Sequence, residues 1–98
     1  MLEQIRPTTL VDYVGSAFQV LGDFPKPISL TLTRIAELAK IGRQEIFSIY
    51  FHGPADLYLP QATYRLKHEQ AGEIDLFLVP VAKDKDGFEY ECAFNNLI

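Results

Sequence analysis

The side chains in this chain best suited to chemistry are His52, His68, a lone cysteine at Cys92, and carboxylates that recur in pairs. Each histidine ends a stretch with strand character. If those stretches paired, the two imidazoles would approach, and Asp56 or Glu69 would complete a metal site. Zinc takes at least three protein ligands, so two histidines without a third at ligand spacing are read as solvent-facing strand ends. Cys92 would need one of them as a base. No helix N-terminus or nucleophile elbow precedes it, and alternation with Tyr90 and Phe94 puts all three on an inward face, where a thiol is inert packing.

Glu73 with Asp75, and Glu89 with Glu91, are acidic i, i+2 pairs, each on one face of a strand. A glycosidase wants two carboxyls about 5–10 Å apart in a cleft. Like charges set side by side on a sheet destabilise it, so the expected arrangement is a solvated charge ladder with Arg65 and Lys67 as cross-strand partners. The run Asp84-Lys85-Asp86-Gly87 echoes the start of a calcium loop, but the twelfth position, where such a loop needs glutamate, is Asn95. A hairpin turn explains it. No serine elbow, P-loop or dinucleotide fingerprint is present. The expectation is therefore no catalytic residue, no cofactor and no metal.

The elements that must position these residues belong to one small domain of 98 residues. A core of this size is thin, burying roughly 60–65% of the unfolded surface. Nearly half the residues are apolar (48%) and tryptophan is absent, which is ordinary globular composition. Net charge is −4, with nine basic residues interleaved among thirteen acidic ones. Nucleic-acid binding needs a basic field and is not expected. One cysteine excludes an intrachain disulfide and a Cys-rich zinc site. Met1 to Pro7 lacks the basic and apolar stretches of a signal peptide, and no apolar run approaches the ~20 residues that cross a bilayer. No membrane association and a cytoplasmic location are the expectations.

Thr8-Thr9, Leu10, Val11, Tyr13 and Val14 before Gly15 read as one short capped helix, too short to stand alone. Ala17–Leu21 is the first strand, ended by Gly22-Asp23 and the stiff Pro25-Lys26-Pro27 segment. Ile28, Leu30 and Leu32 alternate with Ser29, Thr31 and Thr33 at the period of a half-buried strand. Arg34 to Lys40 favours helix by composition but continues a β-branched run without a break, so a long strand is expected. After a turn at Ile41-Gly42-Arg43, Glu45–His52 is a strand on propensity, with Phe47, Ile49 and Phe51 inward and Ser48 and Tyr50 on the other face. Leu57 to Pro60 carries apolar residues through a loop and predicts a lid over the core. Three further strands follow, separated by Ala71-Gly72 and Asp86-Gly87. In the second of these, apolar residues occupy both faces beyond Leu76, which predicts that this end is covered on both sides. The sum is a mostly β domain of six antiparallel strands and one short N-terminal helix, closed as a small barrel or packed as a two-layer sandwich.

Leu2-Glu3-Gln4, Thr9-Leu10 with Gly15, Phe47-Ser48 before Gly53-Pro54, Leu59-Pro60-Gln61 and Thr63-Tyr64 form a recurring pattern. Gly72-Glu73, Asp75-Leu-Phe-Leu-Val-Pro80 and Phe94-Asn95 complete it. In these residues the chain resembles a family of small bacterial domains of unknown function, across nearly its whole length. That pattern often has glycine where this chain has Ala62. The resemblance implies no activity and no catalytic residue. Its one functional implication is that such domains sit near phage-tail-collar or tail-fibre-like proteins, which points to a fibre or injection assembly.

A core this thin does not house every aromatic. Tyr50, Tyr58 and Phe77, with Leu97 and Ile98 at the apolar C-terminus, form the candidate interaction surface. The expected function is a non-catalytic interaction or structural module, whose partner is a protein or a second copy. The alternative is a small-ligand-binding β-barrel with its ligand near Tyr58 and Tyr64.

Overall fold

The computed structural model describes residues 10–97, with side chains up to residue 95. Six strands follow one another: β1 (Ala17–Leu21), β2 (Ile28–Ile41), β3 (Gln44–Pro54), β4 (Ala62–His68), β5 (Gly72–Asp84) and β6 (Gly87–Leu97). All pairings are antiparallel, in the spatial order β1-β2-β3-β6-β5-β4. Gln19, Val20 and Leu21 of β1 pair with Lys67, Leu66 and Arg65 of β4, so the single sheet closes on itself. Of the two packings the sequence allows, closure removes edges and is the one adopted.

The N-terminal helix shrinks to a 3-10 turn at Val11–Tyr13. Val14 is already extended, and Gly15, at φ +92, sends its N–H to the Leu32 carbonyl at 2.7 Å. The Leu32 N–H answers to the Ser16 carbonyl at 3.1 Å. The growing ladder with β2 thus takes the backbone groups that a second helical turn would need. The expected Thr8 and Thr9 cap lies outside the described residues, as does Ile98.

Arg34–Lys40 is strand despite its helix-favouring composition. Ile35 pairs with Ile49 and Glu37 with Phe47, and this tertiary pairing overrides local preference. Two β-bulges, at Leu32/Arg34 and Glu37/Ala39, reset which residues face inward. β3 and β6 pair without interruption from Gln44–Leu97 to Pro54–Gly87 and form the spine of the barrel.

Inside, Leu30, Leu32, Phe47, Phe51, Leu66, Leu78 and Tyr90 are fully shielded from solvent. Each such side chain contributes about 1.5–3 kcal/mol by leaving water. Phe18 meets Phe51 edge-on at 5.4 Å, and Phe47 stacks on Phe94 at 4.9 Å. Leu59, in the loop between β3 and β4, plugs one mouth. Its N–H donates to the Tyr90 hydroxyl at 3.0 Å, while the Tyr64 hydroxyl donates to the Pro60 carbonyl. The apolar loop is the lid that its composition predicts. In the β3–β6 ladder Gly53 pairs with Phe88 and Gly87 with Pro54, and neither glycine has room for a side chain. A Cβ on Gly87 would lie 1.8 Å from the Gly53 carbonyl oxygen.

Burial departs from the strand pattern at two places. Ser48 does face outward, between Ala36 and Ala93, yet it is completely buried, and its hydroxyl has no hydrogen-bond partner among the described residues. The doubly apolar part of β5 is covered on the inside alone. Leu78 is shielded, whereas Phe77 is 48% and Val81 46% exposed.

Candidate functional site

The two histidines do not meet. β3 and β4 are not neighbours in the sheet, because the chain crosses the barrel mouth between them. His68 is buried rather than solvent-facing, between the rings of Tyr13 and Phe18, each 4.6 Å away. Its Nδ1 accepts the backbone N–H groups of Gln70 and Ala71 at 3.0 and 3.1 Å. A nitrogen that accepts two donors carries no proton, so the hydrogen sits on Nε2 and points at the Ser16 hydroxyl, 2.9 Å away. Ser16 in turn donates to the Tyr13 carbonyl. This serine–histidine contact is therefore the reverse of a nucleophile and its base. The imidazole donates, and no carboxylate orients its far side. Its work is to fasten the 3-10 turn and the start of β1 to the β4–β5 turn. Sequence reasoning missed it, because nothing local in Ser16 or His68 announces that β1 closes against β4.

His52, on the outer wall, faces Asp84 across 3.4 Å. Asp84 also accepts the N–H groups of Asp86 and Gly87, both at 2.8 Å. The Asp86 N–H in particular, with His52 and Gly87 behind it, holds the Asp84 carboxyl below its usual range. The segment that echoes a calcium loop is thus a self-bonded hairpin turn. Beside it an open groove of about 480 Å³ is lined by Lys26, Ser29, Thr31, His52, Asp56 and Asp86. Lys26 and Asp56 are already engaged with each other, and His52 with Asp84, which lies outside the groove lining.

Cys92 is buried beside Tyr90, facing inward as its alternation predicts, and burial pushes its thiol up to about 11. Such a thiol supplies no thiolate near neutral pH.

The carboxylates divide between two neighbourhoods. Glu73 and Asp75 lie opposite Lys67 and Arg65, as the ladder predicts. Arg65 grips Asp75 through two bonds, 2.9 and 3.1 Å, and reaches Glu73 at 3.5 Å. The guanidinium holds the Asp75 carboxyl below its usual range. Glu89 and Glu91 find other partners. Arg34 lies 3.7 Å from Glu89 and covers the Tyr50 ring at 3.7 Å, while the Tyr50 hydroxyl donates to Glu91 at 2.9 Å. That bond is the chief cause of the raised Tyr50 ionisation. The two acid pairs sit on neighbouring strands but far apart along them: Glu91 and Glu89 pair with Val79 and Ala82, toward the opposite end of β5 from Glu73 and Asp75, so they form no cleft.

The candidate surface residues separate as well. Tyr50 is half-buried and engaged. Tyr58 is 54% exposed at the plugged mouth, edge-on to Phe88 at 5.2 Å. Phe77 stands on the outer wall of β5 with Val79 and Val81. The Leu97 backbone pairs with Gln44, so the tail continues β6 within its own barrel. Of Ile98, and of the Leu97 side chain, the described residues say nothing.

Among the described residues no three of His, Cys, Asp or Glu stand close enough to hold a metal ion. No helix among them is long and apolar enough to cross a membrane. The architecture is that of a small closed antiparallel barrel around an apolar cluster. Residues 5–94 match a domain of unknown function, DUF6916, and the chain belongs to that family. Neither the curated proteins nor the solved structures contain a match to it.

Proposed function

We propose that this chain is a non-catalytic protein-interaction or structural module, acting as a homo-oligomer or as a subunit of a larger bacterial assembly of the fibre or phage-tail kind. The observation that carries this reading is the outer face of β5. Apolar side chains on both faces are the composition of a strand buried on both faces. Here Leu76 and Leu78 fill the inside while Phe77 and Val81 stand in solvent, with half-buried Val79 between them. A surface built like an interior invites a cover, and the natural cover is another protein. Polar groups that bond one another, rather than converging on an empty space, support the non-catalytic half of the reading.

The test compares the wild-type chain with a Phe77→Ser/Val81→Ser double variant, by light scattering across concentration and by co-purification from the native cell. Self-association or a partner of fixed stoichiometry, lost in the double variant, is the expected result. A strict monomer that retains no stoichiometric partner overturns the proposal.

A further inference from the structure

The second strand outruns the barrel. β1 pairs with β2 only from Ile28 to Thr31, and the bonds to Gly15 and Ser16 extend that cover to Leu32. From Thr33 to Ile41, among the described residues, β3 is the only strand beside it. At about 3.3 Å per residue this leaves roughly 30 Å of strand with one open flank. Leu38 and Ile41 on this stretch are 57% and 63% exposed. An unpaired flank of this length is a template for another strand.

The side chains along it select which strand. In a regular strand, residues three apart point to opposite faces. The bulge at Glu37/Ala39 cancels that, because Glu37 pairs with Phe47 and Lys40 with Glu45, both on the inner face. Glu37 and Lys40 consequently share a face and bridge at 3.7 Å. A second copy laid antiparallel about a two-fold axis between Leu38 and Ala39 sets each Glu37 opposite the other copy's Lys40. Leu38 then faces Ala39, and Ala36 faces Ile41. A register centred on Glu37 places glutamate against glutamate and Arg34 against Lys40. A register pairing Arg34 with Glu37 drives the second copy's Lys40 toward Thr31, where β1 already sits. Within residues 36–41 one arrangement matches the charges and fits within the open flank; it leaves Arg34 toward the second copy's Arg43, which lies in the turn beyond the end of β2. Bulges and edge charges ordinarily discourage strand addition; here they are complementary to themselves and exclude other sequences.

We infer that residues 36–41 of β2 pair antiparallel with the same residues of a second copy. The inference goes beyond the reading above, because its seat is the open flank of β2 and not the outer face of β5. Sedimentation and light scattering at low salt, from about 10 µM to about 1 mM, are expected to show a reversible dimer. Glu37→Lys and Lys40→Glu each create two like-charged oppositions per dimer and should raise its dissociation constant about tenfold or more. The double variant E37K/K40E restores the match and should return within about threefold of wild type. Both positions are exposed, so the variants fold, as circular dichroism will verify. Self-association that ignores the single reversals, or single reversals that the double variant fails to rescue, overturns the β2 pairing while leaving the β5 reading intact. A monomer at all concentrations also overturns it, and the β5 reading then stands or falls on its own partner test.

Discussion

Tyr90→Phe removes one oxygen atom and leaves the barrel's packing in place. Tyr90 is fully buried, and its hydroxyl receives the Leu59 N–H at 3.0 Å beneath the lid. Phenylalanine keeps the ring contacts with Phe88 and the wall, so no large cavity opens. What is lost is the acceptor of a backbone donor in a residue only 2% exposed. Leaving such a group unsatisfied costs about 1–3 kcal/mol. For a domain near 100 residues each kilocalorie lowers the melting midpoint by roughly 4–8 °C. Urea unfolding gives the global loss, expected as a lower midpoint at unchanged slope. Amide exchange at Leu59 gives the local loss, expected to accelerate more than exchange at the centre of β3. A variant as stable as wild type, with Leu59 equally protected, would refute the idea that this bond holds the lid.

Gly87→Ala should cost about 3 kcal/mol or more, because its Cβ would strike the Gly53 carbonyl oxygen, part of rigid backbone. Gly42→Ala, at φ +60 but in open space, should cost only about 1 kcal/mol in the same thermal melts. Cys92 predicts an alkaline weakness. The unfolded thiol ionises near pH 9.0 while the folded one keeps its proton until about 11, so the unfolded state binds fewer protons between those values. Stability is therefore fully present below pH 9 and falls as pH rises toward 11, by up to about 3 kcal/mol. Cys92→Ala should flatten that slope in urea titrations, and an identical slope in both proteins would count against burial as the cause.

The β architecture was legible because alternation is written locally. Ile28-Leu30-Leu32 and Phe47-Ile49-Phe51 declare their faces within six residues, and Asp86-Gly87 declares its hairpin. The lid was legible because Leu57 to Pro60 is too apolar to lie free in water. The choice between closed barrel and sandwich was not legible, since closure depends on β1 reaching β4 far along the chain. Everything that hangs on closure went unseen with it: the burial of His68, its bond to Ser16, and the open flank that β2 keeps beyond the reach of β1. The acid pairs were half legible. Arg65 and Lys67 sit one hairpin away from Glu73 and Asp75, whereas Arg34 reaches Glu89 only because β6 crosses back beside β3. The charge pattern of Arg34, Glu37 and Lys40 becomes meaningful only once the bulge rotates two of them onto one face.

The stave that seals the barrel is also its shortest, five residues of β1 meeting β4 at three positions, with Gln19 opposite Lys67. The hairpins β2–β3, β4–β5 and β5–β6 join near neighbours in sequence and can form early, while this seam must gather distant chain segments and draws little reward for each. Loosening it frees the segment that His68 clasps and leaves the β3–β6 spine whole. The molecule is thus expected to part first at this seam, the same place where its assembly from distant segments finishes last.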